Sequence, residues 1–211
     1  MLRRLLAPLL ALALLPVALH GTSQAGTGPR ALFFGDSLIA GVGTHPRHPL
    51  EASEVARRMG WRPVVDAFPG TGWTTGGRKG HAYQWRLEHS KALRTHLDVV
   101  VLEGGSNDGF YGDLDQLTGR VAEGLALVRR LQPHARIVLV GGYVPHGRDN
   151  ARMAEMDELL AQAAARDGVE YVSQRAFKDA GSGFLSRDRI HPGPSGYRLM
   201  AQDLAVALRQ Q

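Results

Sequence analysis

Five short runs of apolar residues, each separated from the next by enough chain for a helix, constrain this sequence most. They fall at 31–34 (Ala-Leu-Phe-Phe), 63–68, 98–102 (Asp-Val-Val-Val-Leu), 136–140 and, more weakly, 169–172. The runs are continuous, not alternating, as in strands covered on both faces of a parallel sheet. Helical patterns fill the gaps. Residues 50–59 end at Gly60, and 114–131 carry Leu117, Val121, Leu125, Val128 and Leu131 before Pro133. Residues 151–167 place Met153, Met156, Leu160 and Ala163 or Ala164 on one side, and 195–209 turn Leu199, Leu204 and Leu208 inward. This βαβ succession predicts an α/β fold, a doubly wound parallel sheet of about five strands.

Composition narrows the class. The chain has 211 residues, the size of one α/β domain, and 44% are hydrophobic, as in a core-forming protein. It contains no cysteine, which excludes disulfide scaffolds, thiolate metal sites and cysteine nucleophiles. The formal charge of +5 is mild, and no Lys/Arg run interleaved with aromatics suggests a nucleic-acid face. Arg3 and Arg4, an apolar stretch at 5–19 broken by Pro8 and Pro16, and Ser23-Gln24-Ala25 have the layout of a cleavable signal peptide. Residues 1–25 are therefore expected to be a leader and 26–211 the single functional domain. The apolar stretch is short for a bilayer span, so no stable membrane anchor is expected after cleavage, although an uncleaved anchor is the alternative. Export to the periplasm, cell envelope or medium follows from that expectation.

In doubly wound sheets, ligands bind beyond the carboxyl ends of the strands. Gly35-Asp36-Ser37-Leu38 follows the first strand, Gly70-Thr71-Gly72-Trp73 the second, and Gly104-Gly105-Ser106-Asn107-Asp108 the third. Asp188-Arg189-Ile190-His191-Pro192 precedes the last helix. Alone, each is weak: Ser37 is compatible with a helix cap, Asn107 and Asp108 with a turn, Gly70 and Gly72 with a bend. The pairs His45/His48 and His81/His89 lack metal-ligand spacing and read as surface histidines. Together the blocks supply what acyl transfer needs: a hydroxyl, a base, an orienting carboxylate and oxyanion donors. The spacing of Asp188 and His191 lets the carboxylate accept the Nδ1 proton, leaving Nε2 to face outward.

These four blocks, in this order, resemble the SGNH hydrolases, also called the GDSL esterase/lipase family. Gly105-Ser106-Asn107-Asp108 matches its Gly-x-Asn-Asp block, Asp188 to His191 its Asp-x-x-His, and Gly196-Tyr197 follows in the usual place. The resemblance implies a three-layer α/β/α flavodoxin-like sandwich. It implies Ser37 as nucleophile, His191 as general base and acid, and Asp188 as orienter. The Ser37 amide, the Gly70 amide and the Asn107 side chain would form the oxyanion hole, with no metal and no cofactor. Ile39 stands where a Gly-x-Ser-x-Gly elbow needs its second glycine, which argues against the larger α/β-hydrolase fold. The expected substrate is a small ester or an acylated glycan, with lysophospholipase or thioesterase activity as alternatives. Short acyl groups are expected, because residues 71–91, rich in Gly, Thr and Trp, suit a shallow polar groove. Two other classes stay open. One is a metal phosphoesterase built on Asp36, Asp108, Asp188 and His191. The other is a catalytically silent glycan-binding module with Trp73, Tyr83 and Trp85 exposed for stacking on sugars.

Overall fold

The computed structural model describes residues 27–45 and 47–210. The expected leader, residues 1–25, lies outside them. Five parallel strands, β1 (Arg30–Gly35), β2 (Arg62–Ala67), β3 (Val99–Glu103), β4 (Arg136–Val140) and β5 (Glu170–Val172), form one sheet in the order β2-β1-β3-β4-β5. Leu32 sits opposite Val64 on one side and Val100 on the other, which fixes the register at the centre.

Every residue of β3 is buried, yet the strand serves two cores. Val100 and Leu102 face one helical layer, and Val99 and Val101 face the other. A two-residue side-chain period combined with two covered faces turns alternation into an unbroken apolar run. Among the described residues six α-helices make the outer layers: α1 (Leu50–Met59), α2 (Tyr83–His89), α3 (Ser106–Tyr111), α4 (Leu117–Leu131), α5 (Ala151–Arg166) and α6 (Pro194–Gln210). Val55 and Ala56 of α1 and Leu204 and Leu208 of α6 cover one face. Leu87 of α2, Val121 and Leu125 of α4, and Met156 and Leu160 of α5 cover the other. Full burial of each such Leu or Val contributes about 1.5–3 kcal/mol.

The chain leaves β1 toward β2 through α1, then returns past β1 to build β3, β4 and β5 with helices on the opposite face. Right-handed crossovers running in two directions require helices on both faces. The reversal occurs between β1 and β3, so the crevice lies beyond Gly35 and Glu103. α1 stops where expected: Gly60 is left-handed at φ 70°, and the Trp61 amide donates to the Ala56 carbonyl at 2.8 Å. Among the described residues no helix is long and apolar enough to cross a membrane.

Two parts differ from expectation. Asn107 and Asp108, compatible with a turn in the sequence, lie in α3, and α2 was not anticipated. Residues 71–91 are not a polar groove: Trp73 and Tyr83 are 1% and 0% exposed and belong to the core beside α4. The Tyr83 hydroxyl donates to the Glu103 carbonyl at 2.7 Å, and the ring meets Trp73 edge-on. Aromatics that pack against α4 and the end of β3 are removed from solvent, so the stacking surface imagined for sugars loses two of its three rings. Trp85 is 43% exposed, but His81 and His89 stack on it with ring centroids 3.6 and 4.0 Å away. Two imidazoles that close to one indole must occupy opposite faces, so neither face of Trp85 is open.

Candidate active site

Beyond β1 the chain turns sharply over residues 36–40, and the first bend is held by Asp36. One carboxylate oxygen accepts from the Leu38 amide at 2.9 Å and the other from the Asn107 side chain at 3.0 Å. This side chain links the ends of β1 and β3 across the crevice. Burial pushes the Asp36 carboxyl up to about 6, against the pull of the Leu38 amide and the neighbouring His191. The turn lifts Ser37 to the floor of a cavity of about 300 Å³.

The opposite wall comes from residues 185–192, closed by an antiparallel bridge between Leu185 and Pro192. Within it, Asp188 Oδ1 accepts from the Ser186 hydroxyl at 2.8 Å and from the Ile190 and His191 amides at 2.9 Å each. Its other oxygen lies 2.8 Å from His191 Nδ1, and His191 Nε2 lies 2.9 Å from Ser37 Oγ. Partial burial pushes the Asp188 carboxyl up, but the His191 ring and the two amides outweigh it and hold it well below its ordinary value. An ionised carboxylate only accepts, so Nδ1 carries the proton and Nε2 is left to accept from the Ser37 hydroxyl. The structure thus brings Ser37, His191 and Asp188 into one chain of hydrogen bonds.

The three expected oxyanion donors meet at the same crevice in different states. Among the described residues, neither the Ser37 nor the Gly70 amide donates a hydrogen bond within the chain. Gly70 lies at φ 79°, a backbone state that a side chain would strain. Asn107 Nδ2 is engaged twice, with Asp36 and with the Thr71 carbonyl at 2.8 Å. It therefore fastens the Gly70 loop to the Ser37 turn whatever else it does.

Asp108, weighed as a metal ligand, faces the other way. Its oxygens accept from the Trp73 amide at 3.0 Å and the Thr74 amide at 2.7 Å, and from the Thr74 and Thr75 hydroxyls. It anchors residues 73–75 to α3. Among the described residues no group of three or more His, Asp or Glu side chains is arranged to hold a metal ion.

Several contributors gave little warning in the sequence. Arg86 is buried and donates to the Gly35 carbonyl at 2.7 Å, the Thr71 hydroxyl at 2.8 Å and both the carbonyl and carboxylate of Asp66 at 3.0 Å. It ties together the ends of β1 and β2 and the loop carrying Gly70, with its guanidinium over Phe34. Glu51 and Glu103 are buried carboxyls behind the crevice, on the α1 side. Burial pushes Glu51 up to about 8 and Glu103 well above its ordinary value, each raised further by neighbouring carboxylates. Glu51 accepts from Gln174 at 2.6 Å, while neither Glu103 side-chain oxygen has a partner among the described residues. The charge that ends the apolar run of β3 was the available signal for Glu103.

Comparison with known proteins agrees with this architecture. A 160-residue stretch is 26% identical to the platelet-activating factor acetylhydrolase IB subunit alpha1 of Rattus norvegicus, covering 76% of this chain and 62% of that one. The chain thus spans less than two thirds of that relative's length. A family two carbohydrate esterase from Clostridium thermocellum, solved with cellohexaose, superposes with a TM-score of 0.71 at 21% identity, over 86% of this chain and 64% of the other. Est24, a carbohydrate acetylesterase from Sinorhizobium meliloti, gives 0.68 at 16% identity, over 86% and 99%. These two likenesses show a shared fold. Residues 33–199 match the sequence profile of the GDSL-like lipase/acylhydrolase family, a span holding the Ser37 turn, Asn107 and the Asp188–His191 loop, and the chain belongs to that family.

Proposed function

We propose that the protein is a serine ester hydrolase for short acyl groups, O-acetyl esters among them. The observation that carries this is the unbroken relay from Asp188 through His191 to Ser37, at 2.8 and 2.9 Å, on the floor of a small cavity. His191 Nε2 takes the Ser37 proton as Oγ attacks the ester carbonyl. The imidazolium that results is stabilised by Asp188. The tetrahedral oxyanion is received by the Ser37 and Gly70 amides and by Asn107, which shares an N–H at that moment. The alcohol leaves with the proton from His191. Water, deprotonated by the same ring, then releases the acid and restores Ser37.

The cavity supports the short-acyl part. About 300 Å³ lies at the lower end of small-molecule pockets, and Leu38, Val42, Phe110 and Tyr143 give it apolar walls. The names of the acetylhydrolase relative and of the acetylesterase neighbour point to the same acyl size. Residues 1–25 are taken as a cleaved export leader on their sequence pattern alone, which N-terminal sequencing of the exported protein checks.

Ser37→Ala with p-nitrophenyl esters of graded acyl length is the test. Turnover should fall by about 10⁴ or more with the fold intact. Activity within tenfold of the parent would remove Ser37 as nucleophile, and rates rising steadily to twelve-carbon esters would overturn the short-acyl assignment.

A further inference from the structure

A second cleft of about 700 Å³ adjoins the first, and Arg148 lines both. Its other walls include His146, Arg187 and Arg189. Arg187 and Arg189 flank Asp188 in sequence, so their side chains leave the loop that carries the relay. All three arginines are exposed, and none of their guanidinium groups has an ion-pair or hydrogen-bond partner among the described residues. The nearby carboxylates are already engaged. Asp149 is held by Arg175 at 3.0 Å and Lys178 at 3.7 Å, Asp179 by Lys178 at 3.1 Å, and Asp188 by His191.

Three unpaired like charges around one cleft repel each other, and the carboxylates beside them are committed to other partners. Arg189 adds a second cost. It is the single described non-glycine residue with positive φ, at 58°, where glycine or asparagine would sit with less strain. The turn needs the left-handed backbone to bring the Ile190 and His191 amides onto Asp188. It does not need a guanidinium. A long cation at the most strained position, beside two others, is explained by a ligand that arrives with negative charge. Guanidinium groups suit planar carboxylates and phosphates, because two parallel N–H bonds match two oxygens.

We propose that the ester taken by this site carries an anionic group, a carboxylate or a phosphate, on the portion beyond the cleaved bond, and that Arg148, Arg187 and Arg189 receive it. The inference rests on the serine-ester assignment above and adds the substrate's charge to it. The cleft beside His191 holds the leaving-group side while the acyl group enters the apolar cavity over Ser37. The same field concentrates anionic esters at the crevice and weakens with salt.

Three acetyl esters test this: 4-acetoxybenzoate, 4-acetoxyphenyl phosphate and the neutral methyl 4-acetoxybenzoate. The readout is the ratio of kcat/KM for each anionic ester to that for the neutral one. The triple variant Arg148→Gln/Arg187→Gln/Arg189→Asn, whose asparagine tolerates the left-handed backbone, should lower the ratio about tenfold, at two- to threefold per charge. In the parent protein the ratio should also fall several-fold when sodium chloride is raised to about 0.5 M, where screening is short-ranged. That second measurement stands even if the variant fails to fold. A larger effect on the carboxylate ester identifies an acidic glycan type of substrate, and on the phosphate ester a phospholipid-like one. A ratio unchanged in the folded variant, or insensitive to salt in the parent, overturns the inference and leaves the esterase assignment standing. No hydrolysis of any of the three by the parent overturns both.

Discussion

Two aspartates stand on either side of the Ser37–His191 contact and behave in opposite ways. Asp36 is buried at the end of β1, and burial pushes its carboxyl up to about 6. Asp188 sits on an exposed loop, and its donors, led by the His191 ring, hold it well below its ordinary value. The Ser37 side of the crevice is scaffold: strand ends cross-linked by Arg86, Asn107 and Asp36, with buried carboxyls behind them. The His191 side is a self-contained turn whose hydrogen bonds are nearly all local. Damage on the first side should appear in stability and turnover together, and on the second in turnover alone.

The largest expected effect breaks the comparison most cleanly. Asp188→Asn should lower kcat by about 10⁴, because an amide no longer selects the Nδ1–H tautomer. The melting temperature at neutral pH should stay within a few degrees. A large thermal shift with modest kinetic loss would mean that the turn is part of the scaffold after all. Asn107→Ala comes next. Loss of an oxyanion donor predicts a fall in kcat of about 10²–10³ with KM nearly unchanged. Two acceptors, Asp36 and the Thr71 carbonyl, are orphaned as well, so stability should drop by about 1–3 kcal/mol. Denaturation and kinetics of the same preparation separate the two effects.

Arg86→Leu tests the scaffold alone. It leaves the Asp66 carboxylate with the Ser90 hydroxyl but no cation and the Gly35 carbonyl with the Phe68 amide alone, and about 3 kcal/mol of stability should go, read from the urea midpoint. The last test concerns Glu51 and reads a difference between two pH values. The folded protein keeps its proton up to about pH 8, whereas the unfolded chain releases it near 4.5. Between those values the folded state binds more protons, so this group's contribution is present at low pH and lost as pH rises through 8. Glu51→Gln should therefore raise the melting temperature more at pH 9 than at pH 5. Equal shifts at both pH values would show that the carboxyl is not held protonated.

Much of the scaffold was legible because long elements repeat their signal. All five strands lie within about a residue or two of the apolar runs, and α4 and α5 follow their apolar spacing. Six- and seven-residue helices show too few turns for a period, which hid α2 and α3. The relay could be read because Asp188 and His191 are three residues apart and Ser37 directly follows a strand. Arg86 and Glu51 could not, and Glu103 showed only as the charge that closes the apolar run of β3. A lone charge in an amphipathic helix reads as its solvent face, and only the packed structure turns it inward. Trp73 and Tyr83 failed for the converse reason: an aromatic among glycines and threonines looks like loop decoration until α4 is laid against it.

The junction between the two sides has a consequence for how the molecule comes into being. Ser37 and His191 are 154 residues apart, and their walls touch through backbone at Gly43, where a Cβ would run into the Pro192 carbonyl and His191. The Tyr197 hydroxyl of α6 clamps the Val42 carbonyl at 2.6 Å, and α6 lies along α1. During translation the sheet and the Ser37 turn are complete in sequence long before α6 leaves the ribosome. A chain that ends before Asp188 carries the Ser37 hydroxyl without its partner, and one that ends before α6 holds His191 but lacks the Tyr197 clamp on the Ser37 turn. The relay is therefore assembled late, by residues 188–197 closing on a turn that was in place at the end of the first strand.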